Sequence, residues 1–165
     1  MAGYSEHTFY TTAKNNITRK ILTFLTKQFR GFMNTSNENK EIIIQLYQNF
    51  LNQKKFDTLD DFIDLNYLQP FIEANTPLLK AFPDIQFTIK EIFADNNNII
   101  TVYDWTGTHK HEYQNIPATH KKVTVEGISI YELKNRKVIK SVAKPDKLSF
   151  FLQLGLISPD FKKTK

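Results

Sequence analysis

The chain has 165 residues, a length typical of one domain rather than two. Its 41% apolar content, with 14 phenylalanines, is enough to build a sizeable core, which excludes disorder over most of the length. No cysteine is present, so disulfides and thiolate chemistry are excluded and a cytoplasmic location is favoured. No run of 18 apolar residues occurs, so no membrane-spanning helix is predicted.

The net charge of +5 lies mostly in the N-terminal part. Residues 1–36 hold five basic residues and one acidic residue, a net charge of +4, whereas the remainder holds 17 basic and 16 acidic residues. A nucleic-acid-binding domain needs a basic face on its folded body. The nearly neutral body therefore argues against a nucleic-acid partner.

Residues 17–32 carry Ile, Leu and Phe at roughly helical spacing beside Lys and Arg, which predicts a basic amphipathic helix. The favoured interpretation is an extra helix that docks its apolar stripe on the domain. A weak contact with a membrane surface, or a targeting presequence, is the alternative.

A polar, turn-rich stretch at residues 34–37 predicts the boundary between extension and domain. The predicted division is an N-terminal extension over residues 1–36, a domain over residues 37–157 and a basic C-terminal tail over residues 158–165.

Three helices are predicted in the first half of the domain. Residues 38–54 have one apolar and one polar face, the pattern of a surface helix. Thr58 is a candidate cap for a second, short helix. Thr76 followed by Pro77 is typical of a third helix start, and Pro83 of its end.

The second half changes to the period of strands. Alternation after Pro83 breaks at Glu91 and Ile92, which predicts a bulge. Three further strands and a closing helix follow, at residues 99–111, 121–133, 136–143 and 146–154, with Gly155 ending the helix. Because the strands follow one another with tight turns, the fold class is α+β with an antiparallel sheet.

Several short motifs occur in a characteristic order: Phe82-Pro83-Asp84; Gly107-Thr108-His109 followed by Glu112; Ile116-Pro117-Ala118-Thr119 with Lys122 and Val123; and Asp146 eight residues before Leu154-Gly155. In these motifs the chain resembles the SnoaL-like polyketide cyclase (ester cyclase) family of the NTF2-like superfamily. The resemblance implies an NTF2-like cone, in which N-terminal helices pack on a curved antiparallel sheet with a closing C-terminal helix around a small-molecule pocket.

The sequence departs from the family pattern at several positions near the expected site. Asn115 and His120 replace two turn glycines, Val142 stands where a tryptophan is common, and Lys140 replaces an acidic residue. A histidine often seen near the second helix is absent around Gln69. These changes predict an altered pocket lining.

The resemblance implies that Asp146 is the general acid/base of an intramolecular aldol closure, without metal or cofactor. A carboxylate beside an apolar cavity has its charged form disfavoured, which suits it to move protons near a carbonyl. Phe150 and Phe151 could form the apolar wall. Asp146 directly precedes a helix, however, and an ordinary N-cap explains it equally well.

His109 is the second candidate catalytic residue, as a hydrogen-bond partner of a substrate carbonyl or of Asp146. The alternative is a polar residue at a strand end. His109, His111 and His120 lie near one hairpin, and two of them are spaced to share a strand face, so a bound metal is a further alternative. No carboxylate completes a ligand set, and no metal is predicted.

Strand alternation places Tyr103, Trp105 and His109 on one face of the sheet. If that face lines the cavity, Tyr103 and Trp105 form an aromatic wall for a planar ligand; if it faces outward, they form a dimer interface across the sheet. Tyr47 and Tyr131 are further substrate-binding candidates, with ordinary core tyrosines as the alternative, and Phe150 completes the predicted set.

The predicted function is that of a cofactor-free cyclase or related proton-transfer enzyme, acting on a small hydrophobic carbonyl compound and forming a homodimer through its sheet. The alternative is a non-catalytic module that binds a small ligand or mediates dimerisation.

Overall fold

The computed structural model describes residues 6–158. One long helix, two short irregular helices and a second long helix precede a four-stranded sheet, and a short helix closes the chain. The elements are α1 Glu6–Leu46, a π-helical turn Tyr47–Asn52, a 3₁₀ helix Phe56–Asp61, α2 Leu65–Ala81, β1 Gln86–Asp95, β2 Asn98–Thr108, β3 Lys122–Lys134, β4 Lys137–Pro145 and α3 Lys147–Leu154.

The sheet is an antiparallel meander in the order β1-β2-β3-β4. The register between β1 and β2 shifts between Ile89 and Glu91, at the bulge that the sequence predicted. One face of the sheet packs against α1, the π-helical turn, α2 and α3, and the core lies between. The α+β class and the helices-on-sheet cone are confirmed.

The C-terminal part of α1 packs on the sheet as the sequence predicted. Ile43 and Leu46 are fully buried, and the buried Tyr47 and Phe50 continue the same face into the π-helical turn. A repeat of three to four residues places these side chains on one side of the helix. This side of the helix covers the space between the helices and the sheet in which the cavity lies.

The N-terminal part of α1 differs from the prediction in two respects. The helix continues through residues 34–37 without a turn, and Ser36 is buried within it. The apolar side chains Ile21, Leu22, Phe24 and Leu25 are each more than half exposed, so this stretch does not dock on the domain. The predicted turn and the predicted docking are therefore wrong, because helical periodicity outweighs the local turn propensity of the polar residues.

The helix starts predicted at Thr58 and Thr76 are also wrong. Thr58 lies inside the 3₁₀ helix, and α2 begins at Leu65, where the carboxylate of Asp64 accepts a hydrogen bond from the backbone N–H of Asn66 at 3.0 Å. The helix continues through Pro77, and the Thr76 hydroxyl donates to a carbonyl one turn earlier at 2.7 Å. Tertiary packing of α2 on the core outweighs the break that proline favours.

The closing helix α3 agrees with its prediction. Asp146 is its N-cap, and Gly155 ends it with a φ of 75°, in the left-handed region where glycine is favoured. Within residues 6–158, no helix is long and apolar enough to cross a membrane. The predicted C-terminal tail lies largely outside the described residues.

Candidate functional site

A cavity of about 240 Å³ lies between the inner face of the sheet and the helices. Its walls are mainly aromatic. Side chains from every layer line it, among them Tyr47, Tyr67, Phe71, Tyr103, Trp105, Tyr113, Ser129, Tyr131, Phe150 and Phe151. The exposed residues of the lining, Ala74, Gln114, Ala143 and Lys147, mark its mouth, whereas Tyr103, Trp105 and Tyr131 are almost completely buried and mark its deep end.

Strand alternation explains the deep wall. Tyr103 and Trp105 of β2 point inward together with Val125, Ser129 and Tyr131 of β3, because alternate residues share a face. The five residues predicted to bind substrate, Tyr47, Tyr103, Trp105, Tyr131 and Phe150, all line the cavity. Their face of the sheet is the inner one, so Tyr103 and Trp105 are not on an outward-facing dimer surface.

A glycine makes room for one of these side chains. Gly127 of β3 pairs with Tyr103 of β2. A Cβ atom at residue 127 would lie 2.6 Å from the Tyr103 hydroxyl oxygen, too close for any side chain to be accommodated without movement. Gly127 therefore fixes where the Tyr103 hydroxyl lies in the deep end.

Five hydroxyl side chains meet beneath the aromatic wall; we call Tyr47, Thr101, Tyr103, Ser129 and Tyr131 the hydroxyl cluster. The Tyr131 hydroxyl donates to the Tyr47 oxygen at 3.2 Å, and Tyr47 and Thr101 share a hydrogen bond of 2.9 Å. Ser129 lies next to the three tyrosine hydroxyl groups. All the cluster residues except Thr101 line the cavity.

The cluster carries no charge near neutral pH. Burial raises the pKa of Tyr103 to about 12 and raises the pKa of Tyr47 and of Tyr131 as well. Buried phenols stay protonated because their charged form is poorly solvated there. The cluster can therefore donate and accept hydrogen bonds but cannot serve as a base at physiological pH.

A second polar pair lies at the β4 side of the cavity. The Tyr67 hydroxyl lies 3.0 Å from the Ser141 hydroxyl and accepts a hydrogen bond of 3.0 Å from the Ser141 backbone N–H. This pair anchors α2 to the edge strand. Hydrogen bonds with both the side chain and the backbone of Ser141 thus hold the Tyr67 hydroxyl in place.

Asp146 lies at the rim of the cavity rather than in its wall. Its carboxylate accepts a hydrogen bond of 3.0 Å from the Ser149 backbone N–H, the geometry of a helix N-cap, and its side chain is exposed. Pro145 and Lys147, on either side of it, line the cavity, but Asp146 does not. The capping role is present, and the predicted catalytic role stays a prediction.

His109 is fully buried one layer behind the cavity wall. Its ring stacks on Phe82 with centroids 5.0 Å apart, and Phe82 in turn contacts Trp105 and Phe150. His109 Nδ1 accepts a hydrogen bond of 3.2 Å from the Thr119 backbone N–H. Burial, followed by the charge of His120, lowers its pKa, so the ring is neutral at pH 7. His109 does not line the cavity, and its catalytic role likewise stays a prediction.

His109 instead joins the loop before β3 to the end of β2. Its backbone N–H donates to Lys121 at 2.9 Å, and its carbonyl accepts from His120 at 2.9 Å. No group of three potential metal-ligating side chains occurs among residues 6–158.

Two other positions of the family motifs have structural roles. The Asp84 carboxylate accepts hydrogen bonds from the backbone N–H and the hydroxyl of Thr108, at 2.8 and 2.7 Å. These bonds lower the pKa of Asp84 and join the turn before β1 to the end of β2.

The departures from the family pattern lie outside the cavity wall. Lys140 and Val142 are exposed, and neither lines the cavity, because β4 turns Ser141 and Ala143 inward instead. Asn115 and His120 adopt φ values of 65° and 57°, the backbone conformation for which glycine is favoured. The effect of these departures on the pocket stays a prediction.

Sequence reasoning missed several lining residues. Ser129 shares its strand face with Tyr131 and could have been found from the alternation along β3. Tyr67 and Tyr113 lie on a helix and in a loop, and no periodic pattern marks either as part of a cavity.

Comparison with known proteins places this architecture in a class. Solved structures that resemble it include a candidate SnoaL-like polyketide cyclase from Jannaschia sp. CCS1, with a TM-score of 0.69, 14% identity, and coverage of 75% of this chain and 96% of that one. A candidate polyketide cyclase from Acidithiobacillus ferrooxidans has a TM-score of 0.64, 23% identity and coverage of 73% and 96%. AclR, a candidate hydroxylase from Streptomyces galilaeus, has a TM-score of 0.67, 19% identity and coverage of 78% and 87%.

These likenesses define the class of the fold, a cone of helices on a curved antiparallel sheet shared with SnoaL-like and other NTF2-like proteins. The search of curated proteins found no match. The family model of the SnoaL-like polyketide cyclases matches residues 41–154, from within α1 to the end of α3, and the chain belongs to that family.

Proposed function

We propose that this chain binds a small carbonyl compound in its aromatic cavity and acts on it as a cyclase or related proton-transfer enzyme, with Asp146 as the acid/base and no cofactor. The observation that carries the proposal is the cavity itself, a space of about 240 Å³ with aromatic walls and hydroxyl groups at its deep end. A concave apolar site with a few placed polar groups is typical of small-molecule binding.

The proposed chemistry begins with a proton on the carbon next to the ligand carbonyl. The Asp146 carboxylate takes that proton and leaves an enolate, which attacks a second carbonyl of the same molecule. The new carbon–carbon bond forms as the second carbonyl becomes an alkoxide, and Asp146 returns the proton to it. The position of Asp146 between Pro145 and Lys147, which both line the cavity, supports this role for a ligand that reaches the rim.

Proton abstraction can be tested without knowing the natural substrate. The test reaction is exchange of the C2 protons of 6-hydroxy-1-tetralone for deuterium in D₂O, followed by proton NMR; this two-ring ketone carries a phenol oxygen at the end opposite its carbonyl. The protein should accelerate the exchange, and Asp146→Asn should reduce the acceleration by roughly 10²–10⁴-fold, since asparagine cannot accept the proton.

A matched control separates chemistry from capping. Asp64 caps α2 as Asp146 caps α3, each accepting a hydrogen bond of 3.0 Å from a backbone N–H. Asparagine caps helices about as well as aspartate, so both Asn variants should stay folded. Asp64→Asn should leave the exchange rate unchanged. Full activity in Asp146→Asn would exclude the proposed acid/base.

A non-catalytic ligand-binding module is the second candidate, and one observation favours it. Within the described part of the chain, no carboxylate and no imidazole lines the cavity. In this case 6-hydroxy-1-tetralone would bind, and neither the wild-type protein nor any variant would accelerate its exchange.

We also propose that two copies associate through the outer face of the sheet. Ile100, Ile128, Ile130 and Val142 are each 38–46% exposed, and the pairs Ile100–Ile130 and Ile130–Val142 are direct cross-strand neighbours. A contiguous exposed apolar patch on a sheet is typical of a protein–protein contact.

A further inference from the structure

The hydroxyl cluster points to a more specific ligand than a small carbonyl compound in general. We infer that the deep end of the cavity binds the uncharged oxygen of a ligand with one or two fused rings, through the hydroxyl groups of Tyr103 and Ser129. This inference rests on the proposed function, because it concerns the same cavity. The oxygen bound at the deep end is distinct from the carbonyl beside which Asp146 acts, and that carbonyl lies toward the rim. It adds the size, the charge and the orientation of the ligand.

The size follows from the volume. An apolar protein cavity of about 150 Å³ holds one benzene molecule. The cavity here measures about 240 Å³, which suits one ring with substituents or two fused rings. A four-ring compound would have to leave most of its atoms outside the mouth.

The charge follows from the lining. Lys147 is the only charged side chain among the described residues that line the cavity, and it lies at the exposed mouth. A carboxylate moved to the deep end would lose its hydration free energy, and no positive charge nearby would compensate for that loss. Neutral hydroxyl groups do satisfy a neutral acceptor, so a ketone, ester or phenol oxygen fits there and a carboxylate does not.

The orientation follows from the hydrogen bonds already made. Tyr131 donates to Tyr47, and Tyr47 bonds with Thr101, so these three hydroxyl groups largely satisfy one another. The Tyr103 hydroxyl lies over Gly127 with Ser129 beside it, and neither of these two hydroxyl groups takes part in the hydrogen bonds just described. Tyr103 and Ser129 are therefore the members with capacity for a ligand oxygen.

Three probes of similar shape test the inference: 1-tetralone with a neutral carbonyl, tetralin without oxygen, and 1-naphthoate with a charged carboxylate. Trp105 is the only tryptophan of the chain and lines the cavity, so its fluorescence reports binding directly. The wild-type protein should bind 1-tetralone more tightly than tetralin, and 1-naphthoate least.

Tyr103→Phe and Ser129→Ala should each reduce the preference for 1-tetralone over tetralin by roughly 2- to 13-fold, the value of one neutral hydrogen bond. Ser149→Ala is the matched control for Ser129→Ala, since Ser149 does not line the cavity, and the preference should stay unchanged. Using two variants at different positions guards against a folding defect in one of them.

The outcomes distinguish the inference from the proposed function. If 1-tetralone binds and both variants keep the full preference for it, the hydroxyl cluster does not hold the oxygen and the inference is wrong, while the proposed function stands. If none of the three probes changes the Trp105 fluorescence, the proposed function is wrong and the inference with it.

A separate observation concerns the uncovered stretch of α1, which we define as residues 18–28. We further propose that this stretch binds an anionic lipid surface. At 3.6 residues per turn its exposed apolar side chains Ile21, Leu22, Phe24 and Leu25 cover an arc of about 160°, and Lys20 and Lys27 lie together just beyond the Phe24 edge of that arc. No acidic residue occurs between His7 and Asn37.

This arrangement fits a lipid surface better than a second protein. A helix lying in the membrane interface buries its apolar side among the acyl chains while its lysines contact anionic headgroups. A stretch with basic residues and no acidic residue has no means of neutralising its own charge against a second copy of itself. The positive charge therefore favours an anionic partner. The exposed apolar side chains favour a partner with an apolar layer below its charged surface, as a lipid bilayer has.

Flotation of the full chain with vesicles tests the proposal. Binding to vesicles of 70% phosphatidylcholine and 30% phosphatidylserine is expected in 20 mM salt, with a large loss in 0.5 M salt and little binding to phosphatidylcholine alone. The double variant Lys20→Ala, Lys27→Ala should weaken binding roughly 20- to 30-fold. Leu22→Ser with Leu25→Ser should also weaken it. Absence of flotation, or self-association of the chain that the two serine substitutions abolish, would overturn the proposal.

Discussion

The two faces of the sheet are built from neighbouring residues, and each departs in part from the usual pattern. Along β2, Ile99 is fully buried and Ile100 is 38% exposed. The inner face is mainly apolar and aromatic but also holds the hydroxyl groups of Thr101, Tyr103 and Ser129, whereas the outer face carries an aliphatic patch among its charged and polar residues. A sheet with one solvated face normally places its apolar residues inside and its polar residues outside.

These two exceptions are informative about function. Hydroxyl groups on the inner face gain nothing for core packing, since each needs a partner once buried. Their presence next to an open cavity is explained when a ligand completes their hydrogen bonds. Aliphatic residues on the outer face are explained when a second copy covers them. Each face thus departs from the usual pattern in the direction that a binding role requires.

The largest expected effect is a difference in stability between alanine substitutions of the two isoleucines at the start of β2. Ile99→Ala should lower the free energy of unfolding by about 2–5 kcal/mol, because it leaves a cavity in the core. Ile100→Ala should change it by about 0.5 kcal/mol or less in the monomer. Urea unfolding followed by circular dichroism measures both. Equal losses in the two variants would contradict the assignment of inner and outer faces.

A second pair of neighbours lies on β3. Gly127→Ala should cost about 1–3 kcal/mol, because the added methyl group displaces the Tyr103 ring. Glu126→Ala, on the outer face, should cost about 0.5 kcal/mol or less. Gly127→Ala should also weaken 1-tetralone binding, measured by Trp105 fluorescence. Unchanged stability and binding in Gly127→Ala would show that Tyr103 is not confined as described.

Burial of the Tyr103 phenol on the inner face should also affect the pH dependence of stability. The pKa of Tyr103 is raised from 10.0 to about 12, so folding favours its neutral form; this stability is fully present below pH 10 and is lost as the pH rises through 12. Between pH 8 and 10.5 the loss from this group should be roughly 1 kcal/mol. Tyr103→Phe should lose less than the wild-type protein over this range. Identical slopes for the two proteins would mean that the Tyr103 phenol is solvated.

The smallest effect on stability is expected on the outer face, where the readout is association. Ile130→Ser should change the free energy of unfolding at low protein concentration by about 0.5 kcal/mol or less. Sedimentation velocity should nevertheless show a dimer for the wild-type chain and a shift toward monomer for Ile130→Ser. A wild-type chain that stays monomeric at high concentration would contradict the proposed self-association.

The sequence predicted those features that depend on local periodicity. Alternation along β2 and β3 predicted the shared face of Tyr103 and Trp105, and a break in alternation predicted the bulge near Glu91. Turn glycine chemistry predicted the end of α3 at Gly155. These patterns arise from interactions between residues close together in the chain, so one sequence is enough to reveal them.

Other features depend on packing between distant residues, and the sequence could not reveal them. The polar residues near Ser36 favour a turn in isolation, yet α1 passes through them as one helix. Pro77 favours a helix start, yet α2 encloses it. The depth of His109 behind Phe82 and the exposure of Asp146 at the rim are likewise set by tertiary contacts. Which polar residues face the cavity is therefore a question for the folded structure.

The most direct test of the central claim is the infrared carbonyl stretch of 1-tetralone, labelled with ¹³C at the carbonyl and bound to the protein. A carbonyl that accepts hydrogen bonds absorbs at lower frequency than the same carbonyl in hexane. The account predicts a clear downward shift on binding to the wild-type chain and a smaller one in Tyr103→Phe and Ser129→Ala. A bound carbonyl that absorbs at its hexane frequency in the wild-type chain would show that its oxygen meets no hydroxyl group, and would contradict the account.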